Sequence, residues 1–199
     1  MASINGNAIS ISNEGNRIMS TWKIDPAHSE VIFRVKHLVV STVTGHFGSF
    51  DATIESEKED FSDAKISFEA DVASVNTKNE QRDGHLKSAD FFDAQSHPKL
   101  SFVSTSVKSI SDYELKITGN LTLRGVTKEI TLDAVYNGTV AGFGGAQVAG
   151  FEIAAKLNRF DYGLQWNALT EAGGVVVSNE VKIEILAEFN KAHKSAKAA

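Results

Sequence analysis

The chain has no cysteine, no excess of basic residues and no long apolar run. Without cysteine, disulfide bonds and thiolate metal sites are excluded. The 20 basic and 25 acidic residues give a formal charge of −5, whereas a nucleic-acid-binding surface has to be basic. No stretch approaches the length of a membrane-spanning segment. What is present is an ordinary globular composition of 199 residues, 42% of them hydrophobic, which fits one domain.

The two ends of the chain differ in composition from its middle. Residues 1–18 are rich in Asn, Ser and Gly, and they lack the basic and apolar regions of a signal peptide. We therefore expect a flexible arm over residues 1–18, a domain over residues 19–190 and a flexible tail over residues 191–199. This composition also predicts a cytoplasmic protein.

Alternation of apolar and polar residues dominates the middle of the chain. A period of two residues is typical of strands that bury one face. No helix-length segment alternates with these runs, so parallel βαβ units are excluded. The dipeptide Asn137-Gly138 matches a hairpin turn. Eight strands are predicted, at residues 29–36, 45–54, 65–72, 100–107, 113–123, 130–136, 147–157 and 181–189.

Eight antiparallel strands with one apolar face form a sandwich or an up-and-down barrel. A closed barrel leaves no exposed edge, and eight strands are wide enough to hold one small ligand. The one helical candidate covers residues 78–92. We expect Asn76 or Thr77 to cap it, with Glu80 as the capping-box partner of Thr77. Gly84 weakens its middle, which favours two short turns over one long helix.

A polar cluster in the helical candidate allows two interpretations. The cluster consists of Arg82, Asp83, His85 and Asp90. It therefore includes a histidine and a carboxylate, as general acid–base catalysis requires. However, the chain has no recognisable serine or cysteine nucleophile motif. The second interpretation is structural, because buried polar groups are usually satisfied by hydrogen bonds to carboxylates and loop carbonyls. We favour the structural interpretation, in which the cluster pins its segment to the rim of a barrel.

The histidines and the glycine-rich stretch give no cofactor motif. The six histidines are scattered, and none forms an HExxH motif. The stretch GFGGAQVAG (142–150) lies between two predicted strands, whereas a phosphate-binding loop leads from a strand into a helix. We expect a flexible hairpin loop there, and neither a metal nor a cofactor.

Five segments together resemble a known family. In chain order they are WKIDPAHSEVIFRVKHL, RDGHLKSADFF, HPKLSFVSTSV, ITGNLTLRGVTKEITLD and AGFEIAAKLNRFDYGLQWN. Their order and pairing are similar to those of the YceI-like family, over about Trp22 to Phe189. The resemblance implies a lipocalin-like, eight-stranded antiparallel barrel that encloses a long apolar ligand, such as a polyisoprenoid chain, an isoprenoid quinone or a fatty amide. It also implies a homodimer, and catalysis is not established for the family.

We therefore predict non-catalytic binding, storage or transport of a long apolar lipid. The alternatives are an enzyme that acts on a lipid through His85, and a stress-response scavenger of apolar toxins or antibiotics. Residues 82–92 are expected to cover one end of the barrel, with Leu86, Phe91 and Phe92 facing inward and with Arg82 or His85 reaching a headgroup. The predicted ligand contacts are Phe33, Val35, Phe47, Phe68, Arg82, His85, Phe91, Phe92, Phe102, Ile117, Leu132 and Trp166.

Overall fold

The computed structural model describes residues 19–168 and 176–192, and in this part of the chain eleven strands and one α-helix form. The predicted arm at 1–18 and residues 193–199 of the predicted tail lie outside the described residues. The elements are β1 (Ser20–Ile24), β2 (Glu30–His37), β3 (Ser41–Phe47), β4 (Phe50–Ser56), β5 (Lys65–Asp71), β6 (Val75–Asn76), α1 (Glu80–Lys87), β7 (Lys99–Ser109), β8 (Glu114–Leu123), β9 (Val126–Ala141), β10 (Gln147–Asn158) and β11 (Val177–Lys191).

The strands close into one antiparallel barrel with eight strands around its wall. β11 pairs with β1 near its end and with β2 along its start, so β1 and β2 lie end to end as one interrupted strand. β4 and β3 continue each other in the same way, as do β5 and β6. β7, β8, β9 and β10 complete the ring back to β11. Neighbours in sequence are neighbours in the wall, which confirms the predicted eight-stranded antiparallel barrel.

Alternation along each strand places the apolar residues inside. In β8, Leu115 and Ile117 are buried while Glu114 and Lys116 are exposed. Phe33 on β2 faces Gly45 on β3, and its ring lies where a Cβ on Gly45 would be. Glycine is therefore required at position 45 by the close approach of an aromatic ring across the pair.

The prediction of a hairpin at Asn137-Gly138 is wrong. β9 runs through both residues to Ala141, and the pairing with β10 shifts register there, leaving Asn137 unpaired in a β-bulge. Gly138 has a φ of 106°, which glycine tolerates and which suits a bulge. The chain reverses later, through the short 3-10 helix Phe143–Gly145, within the stretch for which a hairpin loop was predicted.

Of the helical candidate at residues 78–92, Glu80–Lys87 form a helix, α1, that runs unbroken through Gly84, and residues 88–92 form turns. The predicted division at Gly84 into two short turns is therefore wrong, and so are the predicted caps. Asn79 is the N-cap, and its side chain accepts a hydrogen bond from the backbone N–H of Arg82. Thr77 lies outside the helix because Lys78 takes a left-handed φ of 62°. In the described residues, no helix is both long and apolar enough to span a membrane.

Candidate functional site

The barrel encloses a cavity of about 210 Å³. This volume exceeds the roughly 150 Å³ of an engineered apolar cavity that binds benzene, and it is below the roughly 300 Å³ at which pockets for drug-sized ligands begin. Apolar side chains form almost the whole lining, and Arg159 is the one charged residue among the described residues that line it. Such a space suits a hydrocarbon chain and carries little to hold a polar molecule.

Phe61 closes one end of the cavity. It belongs to the loop between β4 and β5, has a left-handed φ of 57° and is only 2% exposed. Its ring lies 5.4 Å from that of Trp22, 5.2 Å from that of Tyr136 and 5.1 Å from that of Phe151, edge to face in each case. Aromatic rings prefer this geometry. The strained backbone of Phe61 is thus held by an aromatic cluster that seals this end.

Residues 77–92, here called the clasp, cover the opposite end. Their polar anchor is Thr77, which is 4% exposed. Asp83 accepts hydrogen bonds from the backbone N–H of Thr77, at 2.8 Å, and from its hydroxyl. Arg82 donates to the Thr77 hydroxyl oxygen at 2.7 Å and to its carbonyl at 2.8 Å. Arg82 and Asp83 thus satisfy all the polar groups of one buried threonine.

The inner face of the clasp is aromatic. Leu86, Phe91 and Phe92 all line the cavity. The ring of Phe92 meets that of Phe47 at 5.9 Å, and Phe47 in turn meets Phe33 at 5.7 Å. The clasp therefore supplies part of the cavity wall as well as the cover.

The outer face of the clasp holds His85. Its Nε2 lies 2.9 Å from a carboxylate oxygen of Asp90, and its ring packs between Phe91, at 5.0 Å, and Trp166, at 4.8 Å. Neither His85 nor Asp90 lines the cavity. The two residues make a partly exposed pair that fastens the clasp to the loop carrying Trp166.

The predicted contact residues fall into two groups. Arg82, His85 and Trp166 lie in and around the clasp, outside the cavity lining, and Nε and Nη2 of Arg82 donate to Thr77. The other nine line one continuous cavity: Phe33, Val35, Phe47, Phe68, Phe91, Phe92, Phe102, Ile117 and Leu132.

Sequence reasoning missed Arg159 and Tyr162, which lie just after β10 in a short 3-10 helix, Arg159–Tyr162. Both are buried. Burial lowers the pKa of Arg159 and raises that of Tyr162, which Asp161 raises further. The available signal was a single arginine between the apolar runs of AAKLNRFDYGL.

One group of side chains in the described residues has the donor atoms of a metal site. Asp25, His28 and Glu188 place one ligand atom each within 4.8 Å of one another. His28 donates to Asp25 at 3.1 Å, and this bond lowers the pKa of Asp25 and raises that of His28. The Asp25 carboxylate also accepts from the backbone N–H of Ala27 at the start of a 3-10 turn. The hydrogen bonds account for this exposed arrangement without an ion.

Comparison with known proteins gives matches over almost the whole domain. The model of the YceI-like domain matches residues 22–189. A UPF0312 protein of Staphylococcus aureus is 42% identical over 173 residues, which cover 86% of this chain and 98% of the relative.

Solved structures show the same fold. The YCEI protein of Campylobacter jejuni is 32% identical, with a TM-score of 0.69 over 79% of this chain and 90% of that one. A domain of Saccharophagus degradans described as polyisoprenoid binding has a TM-score of 0.64 at 16% identity, over 86% of this chain and 98% of that one. At that identity the likeness is one of fold.

Proposed function

The chain belongs to the YceI-like family, and we propose that it is a non-catalytic binding protein for a long apolar, isoprenoid-like lipid held inside the barrel. The observation that carries the proposal is the cavity with its almost wholly apolar lining. The solved S. degradans domain, named for polyisoprenoid binding, has a barrel of the same fold. We propose the nine cavity-lining residues named above as the contacts of the chain.

The size of the cavity sets an expectation for affinity. Burial of each methylene contributes about 0.8 kcal/mol before ordering costs, so affinity should grow with the length of chain that enters the cavity. A full polyprenyl chain needs more room, and we propose that the clasp aromatics Phe91 and Phe92 rotate to provide it.

Titration of delipidated protein with geraniol, farnesol and geranylgeraniol tests the proposal by calorimetry. We expect affinity to rise about fourfold for each methylene-sized group that becomes buried, and to level off once the barrel is filled. If none of the three prenols binds, the proposal is wrong.

A matched pair of variants on β9 locates the binding. Leu132 lines the cavity, and Thr131 is its exposed neighbour on the outer face. Leu132→Trp fills part of the lumen and is expected to weaken farnesol binding at least tenfold. Thr131→Trp adds the same ring outside and is expected to leave binding unchanged. Melting curves check that the larger side chain, which typically costs about 1–3 kcal/mol in a packed core, has not unfolded the barrel.

We also propose that the His85 cluster takes no part in chemistry, because His85 lies outside the cavity lining and is packed between two aromatic rings. His85→Ala is expected to retain lipid as wild type does, and no lipid substrate should be turned over by either protein. Turnover that depends on His85 would favour the enzyme instead. Competition between farnesol and unrelated apolar drugs separates a selective lipid carrier from a general scavenger. A homodimer and a role in storage or transport stay predictions of the family resemblance.

A further inference from the structure

The hydrogen-bonded wall of the barrel is interrupted at the end that the clasp covers. β6 pairs with β3 on one side, and on its other side no strand of the described residues pairs with it. The chain leaves β6 into the clasp and returns to the wall at Lys99, where β7 begins. Leu86, Phe91 and Phe92 line the cavity over this stretch. Here the clasp forms the wall in place of a ladder of backbone hydrogen bonds.

Few polar contacts hold the clasp against the barrel. Within the described chain, all the backbone–backbone hydrogen bonds of residues 79–97 join residues of that same segment. Beyond the anchor at Thr77, one hydrogen bond links this segment to other described residues: Nη2 of Arg124 donates to the carbonyl of Ala89 at 2.7 Å. No residue of α1 is buried. Side-chain packing therefore holds the clasp in place, with Arg124 as its one polar tie beyond Thr77 in the described chain.

The opposite end of the barrel is held more firmly. Phe61 is 2% exposed among three aromatic rings. In the same loop, Asp63 accepts hydrogen bonds from the Ser56 hydroxyl at 2.6 Å and from the backbone N–H groups of Glu57 and Lys58 at 3.1 and 3.3 Å. Between the two ends, ladders join neighbouring strands, and a gap there would break several backbone hydrogen bonds at once. The barrier to a ligand that enters the cavity is therefore lowest at the clasp.

Two residues in the left-handed region of backbone conformation lie at the ends of this part of the clasp. Lys78 has a φ of 62° and Asp93 has a φ of 50°. Residues other than glycine seldom adopt such values. Hinges are typically a few positions at the ends of an element, where changes in φ and ψ are absorbed. Lys78 and Asp93 have this placement for the residues between them.

We propose that the clasp is the gate through which the lipid enters and leaves the barrel. Residues 79–92 swing outward about their two ends once the hydrogen bond from Arg124 breaks, and the strand ladders stay intact. Segments with few buried contacts are the ones that open locally. This inference rests on the proposed function and adds to it a route and a gating residue. Because Arg124 does not line the cavity, its removal should change the rates of uptake and release and leave the affinity unchanged.

A reversible cross-link tests the gate. The chain has no cysteine of its own, so Ala89→Cys with Arg124→Cys places one thiol on the clasp and one on the turn between β8 and β9. A bis-maleimide with a cleavable disulfide joins the two, and uptake of tritiated farnesol is timed by rapid gel filtration. We expect the link to slow uptake roughly tenfold or more, because it adds to the barrier to opening. Cleavage with dithiothreitol should restore uptake in the same sample. Equal rates with the link intact and cleaved would overturn the proposal.

A matched cysteine pair controls for the linker itself. Lys156 and Lys182 are exposed partners on β10 and β11. Linking Lys156→Cys to Lys182→Cys joins two strands that a ladder already joins, so uptake should not change. If this link slows uptake as much as the link to the clasp does, the clasp is not the gate.

Arg124→Ala covers the case in which the cysteine variants do not fold. Loss of one hydrogen bond is expected to raise the rates of farnesol uptake and release about fivefold each, with an unchanged Kd. Arg34→Ala removes an arginine that pairs with Glu184 outside the cavity lining, and it should change neither rate. Rates in Arg124→Ala equal to those of wild type would contradict its role in the gate. If wild type does not bind farnesol at all, the proposed lipid-binding function fails. If it binds farnesol and neither the link nor Arg124→Ala alters the rates, only the gate is wrong.

Discussion

Asp83→Ala is expected to destabilise the barrel without affecting its affinity for lipid. Asp83 accepts hydrogen bonds from both the backbone N–H and the hydroxyl of Thr77, the buried first residue of the clasp. The substitution leaves both donors without a protein acceptor, while Arg82 still donates to the same threonine. Because Asp83 does not line the cavity, the cost should appear as lost stability alone.

The size of the effect follows from the two donors that lose their acceptor. Each such buried donor typically costs about 1–3 kcal/mol, so two cost about 2–6 kcal/mol, and the partial exposure of Asp83 favours the low end of that range, about 2–3 kcal/mol. For a protein of this length each kcal/mol shifts the melting temperature by about 2–4 °C, so a fall of about 4–12 °C is expected. Urea unfolding gives the free energy, and farnesol titration at low temperature gives the affinity.

Two controls sharpen the test. Asp83→Asn keeps one side-chain oxygen for Thr77 and should lose clearly less stability than Asp83→Ala. Asp90→Ala removes a carboxylate that is 57% exposed and that, among the described residues, pairs with His85 alone. It should cost less than about 1 kcal/mol, as exposed ion pairs do. An Asp83→Ala protein within about 0.5 kcal/mol of wild type would refute the reasoning that Thr77 anchors the clasp.

Four further substitutions have defined outcomes. Phe91→Ala and Phe92→Ala remove rings that line the cavity. Farnesol should therefore raise the melting temperatures of these variants less than that of wild type, and equal shifts would show that both rings only pack in the core and do not contact the ligand. Gly84 is an exposed helix position, and a Cβ added there would have no atom within 4 Å. Gly84→Ala should therefore raise the free energy of unfolding in urea by about 0.5–1 kcal/mol, and a lower free energy of unfolding would contradict this expectation. Because the pKa of His28 is raised in the folded protein, the stability that its pairing contributes is complete below pH 6.5 and is lost as the pH rises through the raised pKa. Because the pKa of Asp25 is lowered, the stability that Asp25 contributes is present above pH 3.8. The melting temperature should therefore differ between wild type and His28→Gln more at about pH 5.5 than at about pH 8.5, and an equal gap at both would show that the pair adds nothing.

The wall of the barrel could be predicted because its strands bury one face. Leu115 and Ile117 alternate with Glu114 and Lys116 in the sequence, and the structure buries the first pair and exposes the second. The failure at Asn137-Gly138 has a definite cause. The turn preference of a dipeptide is local, whereas the pairing of β9 with β10 continues on both sides and absorbs the glycine as a bulge.

In the clasp, too, a local sequence pattern is overridden by tertiary contacts. Thr77 and Glu80 have the spacing of a capping box, but Thr77 is bonded to Asp83 and Arg82, so Asn79 caps the helix. Such competition for one threonine depends on the tertiary position of the segment.

The burial of Arg159 could not be predicted from the sequence, for a related reason. Its acceptors are backbone carbonyls between residues 164 and 178. Every residue type has a carbonyl, so no pattern of side chains marks the site. Seven of the nine cavity-lining residues lie on strands, where alternation places them inward, whereas Phe91 and Phe92 lie in the clasp and were expected there from the family resemblance. Contact of these nine residues with a ligand stays a prediction.

Whether a lipid occupies the barrel is decided by an experimental electron-density map of its interior. Crystals are grown from delipidated protein and from protein loaded with geranylgeraniol. If the barrel binds an apolar chain, the loaded protein shows continuous tubular density from beneath the clasp toward Phe61, and the delipidated crystals lack it. A lumen filled by its own side chains, with the prenol absent or bound on the outer surface, would contradict lipid binding inside the barrel.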